Sequence, residues 1–337
     1  MTVRGGVAST TLLRLLGAAC TLTVLVGQGG RIDPRLDLVN GLLVPLLLAL
    51  ALLLAAVLWS RDRLALCIIA LGTLVAGAQL GSGVLSGMNR HRDTFDSGRP
   101  EVRILTLSTW HANPTPDGIR QVVEEAAPDI ALLQETDGAA APVIDALLPG
   151  YFRLKPCPQQ HCSITILSRW PLRRIRTPAQ GNEPLADILA AQVDAPFGTF
   201  RLIDVHLPRP YLPEAERFHR QLAEAVLRNS DLPLIVAGDF NMATGSFGLS
   251  HLGHAMQLQR VDAFTATYPA NTIVPAFIAI DHVFINRGGA ARECHRIDGG
   301  GSDHYGIACG LLLQPASAAP RRPITPAASR PGVATTS

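Results

Sequence analysis

The chain has 337 residues, room for two domains or for one large domain with a further segment. Its formal charge of +2 is too near zero to select a nucleic-acid partner by bulk electrostatics. Lys155 is the single lysine and every other basic residue is an arginine, a bias that codon composition explains better than selection for phosphate contacts.

The apolar residues are concentrated ahead of residue 90. Three long segments run from Val7 to Gly27, from Gly41 to Trp59 and from Leu64 to Leu85. Each approaches the ~20 residues that cross a bilayer as a helix, so three transmembrane helices are expected in residues 1–87. A cleaved signal peptide is the alternative for the first, but no small-residue cleavage site with an extended flank precedes the second. Arginine counting leaves the orientation tied, with Arg4, Arg14, Arg61 and Arg63 on one side and Arg31, Arg35, Arg90 and Arg92 on the other.

Residues 88–101 read as a polar linker, and 102–313 as a domain in which short apolar runs alternate with helical stretches. Strands are expected at 102–107, 130–133, 164–167, 188–193, 200–205, 234–237, 279–285 and 307–312. Helices are expected at 116–127, with Thr115 as its cap and Pro116 in first position, and at 213–228. This is an α/β pattern of sufficient length for one substantial core. The tail 314–337, rich in Pro, Ala, Ser and Arg, has no periodicity and is expected to be disordered.

Cys20 and Cys67 fall in the apolar segments and read as small apolar side chains. Cys157, Cys162, Cys294 and Cys309 lie in the α/β region, an even number that permits disulfides in an oxidising compartment. Cys157 and Cys162 could close a short loop, remain free thiols, or join His161 at a metal.

Several expected strands end in a polar group that a core strand does not need. Residues 130–133 lead to Glu135, 201–205 to His206, and 234–237 to Asp239 and Asn241; Asp281 stands inside an apolar run, and Gly299-Gly300-Gly301 precedes Ser302-Asp303-His304. Catalytic and ligand groups of α/β domains gather at such strand ends. Asp239 and Asn241, two residues apart on extended chain, emerge side by side, a carboxylate next to an uncharged donor and acceptor. The pair suits a phosphate and a hard cation.

The set LLQE at Glu135, ITILSRWPL from Ile164, DVHLP around His206, VAGDFN, IDHVF and SDH at His304 resembles the endonuclease/exonuclease/phosphatase superfamily, in the family's order. The resemblance implies a four-layer α/β sandwich of two packed mixed β-sheets flanked by helices, here preceded by three transmembrane helices. It implies a hydrolase of phosphodiester bonds, nuclease-like or lipid phosphodiesterase-like, that uses Mg²⁺ or Mn²⁺. It further implies that Glu135 is the principal metal ligand, with Asp303 beside it. Asp239 and Asn241 would handle the attacking water and the phosphate, His206 would contact phosphate, and His304 would be the catalytic histidine oriented by Asp281. The family's asparagine after the first strand is replaced here by Ser108, a shorter and weaker donor near the metal; Asn113, five residues on, is left a separate role. The alternative is a catalytically weakened member that binds at the membrane. A multi-pass inner-membrane protein with its α/β domain outside the cytoplasm is expected from Cys157 and Cys162 and from family habit. No protein partner is evident.

Overall fold

The computed structural model describes residues 3–88, 98–156, 163–176, 187–228, 231–286 and 288–313. Most of the linker, the Cys157–His161–Cys162 run and the tail 314–337 therefore lie outside the described residues.

Three helices, each long and apolar enough to cross a membrane, open the chain: α1 (Val3–Gln28), α3 (Leu43–Ser60) and α4 (Arg63–Gly87). A short connector containing α2 (Pro34–Asp37) joins the first two. Val24, Leu50, Val57, Ile69 and Ala76 meet at the centre of the three. Most other large side chains here stay exposed, among them Leu48, Leu52 and Leu74, the outward apolar surface that a lipid solvent tolerates.

The sandwich follows in the order β1 (Glu101–Ser108), α5 (Asp117–Ala126), β2 (Ile130–Gln134), α6 (Ala141–Ala146), β3 (Phe152–Leu154), β4 (Ile164–Ser168), β5 (Leu172–Ile175), β6 (Ile188–Ala195) and β7 (Gly198–His206). It continues with α7 (Ala215–Leu227), β8 (Leu234–Asp239), α8 (Phe247–Met256), β9 (Gln259–Arg260), β10 (Asp281–Ile285), β11 (Ala290–Ile297) and β12 (Gly306–Leu312). Two six-stranded sheets result, ordered β11-β12-β1-β2-β4-β3 and β5-β6-β7-β8-β10-β9. Each is mixed, with one parallel pair, β1 with β2 and β7 with β8.

The period of two along each strand builds the layers. Ile130 and Leu132 turn inward to meet Phe200, Leu202, Ile235 and Val283 of the second sheet. Their neighbours Ala131 and Leu133 turn outward under α5 and α6. On the second sheet Ile203, Val205 and Val236 turn outward under α7 and α8. Because both faces of these strands are covered, they read as continuous apolar runs. Each buried Leu, Ile or Phe contributes about 1.5–3 kcal/mol of transfer free energy.

Three local expectations shift. Helix α5 starts at Asp117, and Thr115 does not cap it; the Thr115 amide instead donates to Asn113 Oδ1 at 2.8 Å. Strand β10 starts at Asp281 rather than two residues earlier. Strands β3, β5, β9 and β11 and helices α6 and α8 lie outside the expected elements; β3, β5, β9 and α6 are short, and β11 exposes half of its residues.

The helical unit docks on the sandwich through the stretch that follows β8. Asp37 accepts from the amides of Phe247 (3.0 Å) and Gly248 (2.8 Å), satisfying the open first turn of α8. Asn40 donates to Asp37 at 2.7 Å. Gln79 of α4 donates to the Gly245 carbonyl at 2.8 Å, and Arg260 of β9 donates to the Gly83 carbonyl. Gly83 permits the approach, since a Cβ there would lie 2.6 Å from the Gly245 nitrogen.

Candidate active site

The second sheet lays one row of site residues across three strands. His206 pairs with Asp239 in the parallel β7–β8 ladder, and Asp239 pairs with Asp281 in the antiparallel β8–β10 ladder. His206 Nε2 lies 3.9 Å from Asp239 Oδ2, and Asp239 is 2% exposed. Beyond β8 the chain turns through Asn241 at φ 52°, a left-handed conformation that asparagine tolerates better than most residues. The turn lets the Asn241 amide donate to Asp239 Oδ1 at 2.8 Å, and its side-chain Nδ2 donate to the Leu207 carbonyl at 2.9 Å.

The first sheet contributes from turns beyond its strand ends. Glu135 follows β2 at φ 55°, strained for a residue with a Cβ. Its Oε2 accepts from the His111 amide at 3.0 Å and lies 3.1 Å from His111 Nδ1; its Oε1 lies 3.7 Å from His206 Nε2. The tight 298–305 connection carries Asp303 and His304, with Gly300 and Gly301 at positive φ. Asn113 ties that loop to the end of β1 by donating to the Gly300 carbonyl at 3.1 Å, and Ser302 Oγ donates to the Ser108 carbonyl at 2.6 Å. The His304 amide donates to Ser302 Oγ at 3.0 Å. The imidazole then has Nδ1 2.9 Å from Asp281 Oδ2 and Nε2 3.9 Å from Asp239 Oδ2. Tyr268 packs against its ring at 5.2 Å between centroids.

The electrostatics follow from burial and these neighbours. Desolvation would lower His304, but the adjacent Asp281, then Asp239 and Asp303, push it up to about 10. Asp239 is pushed up to about 6 by burial and by Asp281, against the pull of His304 and His206. Burial also raises Asp303, with Glu135 adding to the effect. Burial alone would raise Glu135, yet the His111 contacts and the His206 and His304 charges outweigh it and hold the carboxyl below its ordinary value.

All the residues expected at the site, Glu135, His206, Asp239, Asn241, Asp281, Asp303 and His304, stand at this one rim, with Ser108 below it. Their subdivision is finer than expected. Among the described residues, the acids and histidine whose ligand atoms lie within 4.8 Å of one another are Asp239, Asp281 and His304. The short Asp281–His304 bond already engages one ligand atom of each, so this trio reads as a histidine oriented by Asp281, with Asp239 3.9 Å beyond its Nε2, rather than a cage. The Glu135 charge adds to the rise of Asp303, and the two carboxylates offer the oxygen donors that a hard divalent cation takes. Ser108 is fully buried and its Oγ has no hydrogen-bond partner, an orphaned oxygen on the inner side of the same rim.

Three participants escaped the sequence reading. His111 orients Glu135 from an irregular loop that no periodicity marks. Gln134, inside the quoted LLQE run, donates to Asp204 of β7 at 2.6 Å across the interior between the sheets. Burial raises Asp204 well above its ordinary value, and the bond lies directly behind Glu135 and His206. Arg209 follows the DVHLP run, bonds the Tyr211 hydroxyl at 3.4 Å and senses the Asp239 charge.

Comparison with known proteins agrees with this fold. An endonuclease/exonuclease/phosphatase protein from Bacteroides vulgatus superposes with a TM-score of 0.53 at 17% identity, covering 64% of this chain and 100% of its own. A humanized D. rerio TDP2 gives 0.51 at 18% identity over 63% and 98%, and the Neisseria 3′ phosphatase NExo gives 0.50 at 17% over 62% and 98%. At such identities the likeness is one of fold. No curated protein matches the sequence. The model of the endonuclease/exonuclease/phosphatase family matches residues 104–304, more than half of the chain and all of the rim just described, and the chain belongs to that family.

Proposed function

We propose that this protein is a membrane-anchored, divalent-metal-dependent hydrolase of phosphodiester bonds, using Mg²⁺ with Mn²⁺ as a substitute. The observation that carries the reading is the trio Asp281–His304–Asp239 standing beside Glu135 and His206. Glu135 and Asp303 would hold the metal, with Ser108 on its buried side. When bound, the ion supplies Lewis-acid polarisation of a phosphoryl oxygen. Asp239 has the proton affinity of a base working near neutrality, so it accepts the proton of the attacking water, which the Asn241 side chain helps to place. His304, held protonated by Asp281, presents Nε2–H to the charge that develops on phosphate. His206 steadies a second phosphate oxygen.

The disulfide between Cys294 and Cys309, paired residues of neighbouring strands, supports a sandwich exposed to an oxidising compartment outside the cytoplasm. The three helices support anchoring in the inner membrane.

Turnover of bis(p-nitrophenyl) phosphate by the full chain in detergent, with Mg²⁺, with Mn²⁺ and with EDTA, tests the reading. Turnover is expected only with metal and is expected to fall by about 10²–10⁴-fold in His304→Ala. A rate that neither EDTA nor His304→Ala changes would sink the enzyme and leave a binding protein on this scaffold.

A further inference from the structure

The junction between the helical unit and the sandwich holds a half-open cavity of about 950 Å³, the size of a pocket for a small organic ligand. One wall is the connector after α1, with Arg31, Ile32 and Arg35; the other is formed by α7, α8 and the loop carrying Tyr211. Its acids are engaged. Asp37 holds the first turn of α8, Asp33 accepts from the Arg35 amide at 2.9 Å, and Glu216 pairs with Arg220 at 2.6 Å. Arg31 lies over the Phe247 ring at 4.7 Å, and neither it nor Arg35 has an acidic partner among the described residues. The remaining wall is mostly apolar, from Ile32, Leu212, Met242 and Leu252, and His219 adds a buried Nε2 with no partner.

Two features connect this cavity to the catalytic rim. A narrower cleft of about 110 Å³ shares Asp37, Pro210 and Met242 with it and reaches Asn241. In the same loop Arg209, which senses Asp239, bonds Tyr211, which lines the cavity. The connector exposes Ile32, which lines the cavity, and Leu36 and Leu38 a few residues on. Arginine and tyrosine beside exposed aliphatic groups are the composition of a bilayer interface.

We infer that the substrate is an anionic membrane lipid. Its apolar part lies in the junction cavity, and its phosphoester reaches the row His206–Asp239–Asp281 through the cleft at Asn241. Arg31 and Arg35 face the plane of anionic headgroups. The assignment rests on the phosphoesterase reading and deepens it: the site draws its substrate from the bilayer that the helices cross. Lipid and soluble diesters share the hydrolytic chemistry, in which water adds to phosphorus, the P–O bond to the leaving group breaks, and the departing oxygen takes a proton.

The test compares two substrates and two variants of the full chain reconstituted in vesicles. Phosphatidylglycerol in the vesicles is the lipid probe and bis(p-nitrophenyl) phosphate the soluble one. Ala255→Trp and Ala223→Trp fill the cavity from α8 and α7 without touching the rim. Lipid turnover is expected to fall about 10–100-fold in these variants while soluble turnover stays within about twofold. A phosphatidylglycerol with a diazirine on its acyl chain is expected to crosslink to 210–223 and 247–255. Soluble turnover with no lipid turnover, or lipid turnover that the tryptophans leave unchanged, overturns the inference and leaves the phosphoesterase standing. Equal loss on both substrates, or crosslinks confined to the three helices, overturns it as well. Crosslinking in the cavity without hydrolysis makes the lipid a passive ligand and ends its assignment as substrate. If neither substrate turns over with metal, the phosphoesterase reading itself has failed.

Discussion

The second sheet delivers His206, Asp239 and Asp281 from paired positions of hydrogen-bonded strands, whereas the first sheet delivers Glu135, Asp303 and His304 from turns beyond its strand ends. Ladder pairing fixes the first group through backbone register, so its geometry survives as long as the sheet does. The second group depends on local devices: positive φ at Glu135, two glycines, and side-chain bonds from His111, Asn113 and Ser302. The division separates Asp239, fixed by register, from His304, whose place depends on one glycine-rich loop.

The largest expected effect breaks the fixed half. Asp239→Asn keeps shape and register but removes the carboxylate proposed as base, and turnover should fall about 10³-fold, measured at saturating metal. A base works only when deprotonated, so the parent's rate should rise as pH passes about 6, where Asp239 loses its proton, and fall as His304 loses its own toward about 10. The rise near 6 should vanish in the variant; its persistence would assign it to another group.

The half held by turns should respond more gently. His111→Ala frees the Glu135 carboxylate from two contacts but leaves it in place. The Mg²⁺ concentration for half-maximal rate should rise about 10-fold, with little change at saturating metal, as for other groups that orient a ligand. An equal loss at saturating metal would place His111 in the chemistry itself.

The smallest effect concerns the link between the halves. Gln134→Leu leaves Asp204 buried without its partner and should cost about 1–3 kcal/mol of stability, read as a lower Tm in detergent. Asp204→Asn, which preserves a polar pair, should cost less. If the two variants melt alike, the bond does not hold the sheets in register.

The sequence made the fixed half legible because register leaves a trace in it. A buried strand that ends in a needless polar residue announces Asp239 or His206, and eight strands could be read from apolar runs alone. The rest was hidden for physical reasons. Edge strands such as β5 and β9 bury one face or little at all, so they carry no continuous apolar signal. His111 and Arg209 act from irregular loops, where no periodicity relates position to direction. Gln134 was visible inside its motif, but its partner lies 70 residues on and meets it only when the sheets pack. That Asp239, Asp281 and His304 draw within 4.8 Å of one another likewise needs distances that spacing does not encode.

Asp37 carries a consequence for how the molecule is made. It caps α8 from 210 residues earlier in the chain, so it leaves the ribosome long before the helix it completes. The helical unit is thus made first, and the first turn of α8 is satisfied only once the sandwich meets it. A sandwich produced without that unit begins α8 with two open amides at Phe247 and Gly248, directly after the turn that carries Asn241.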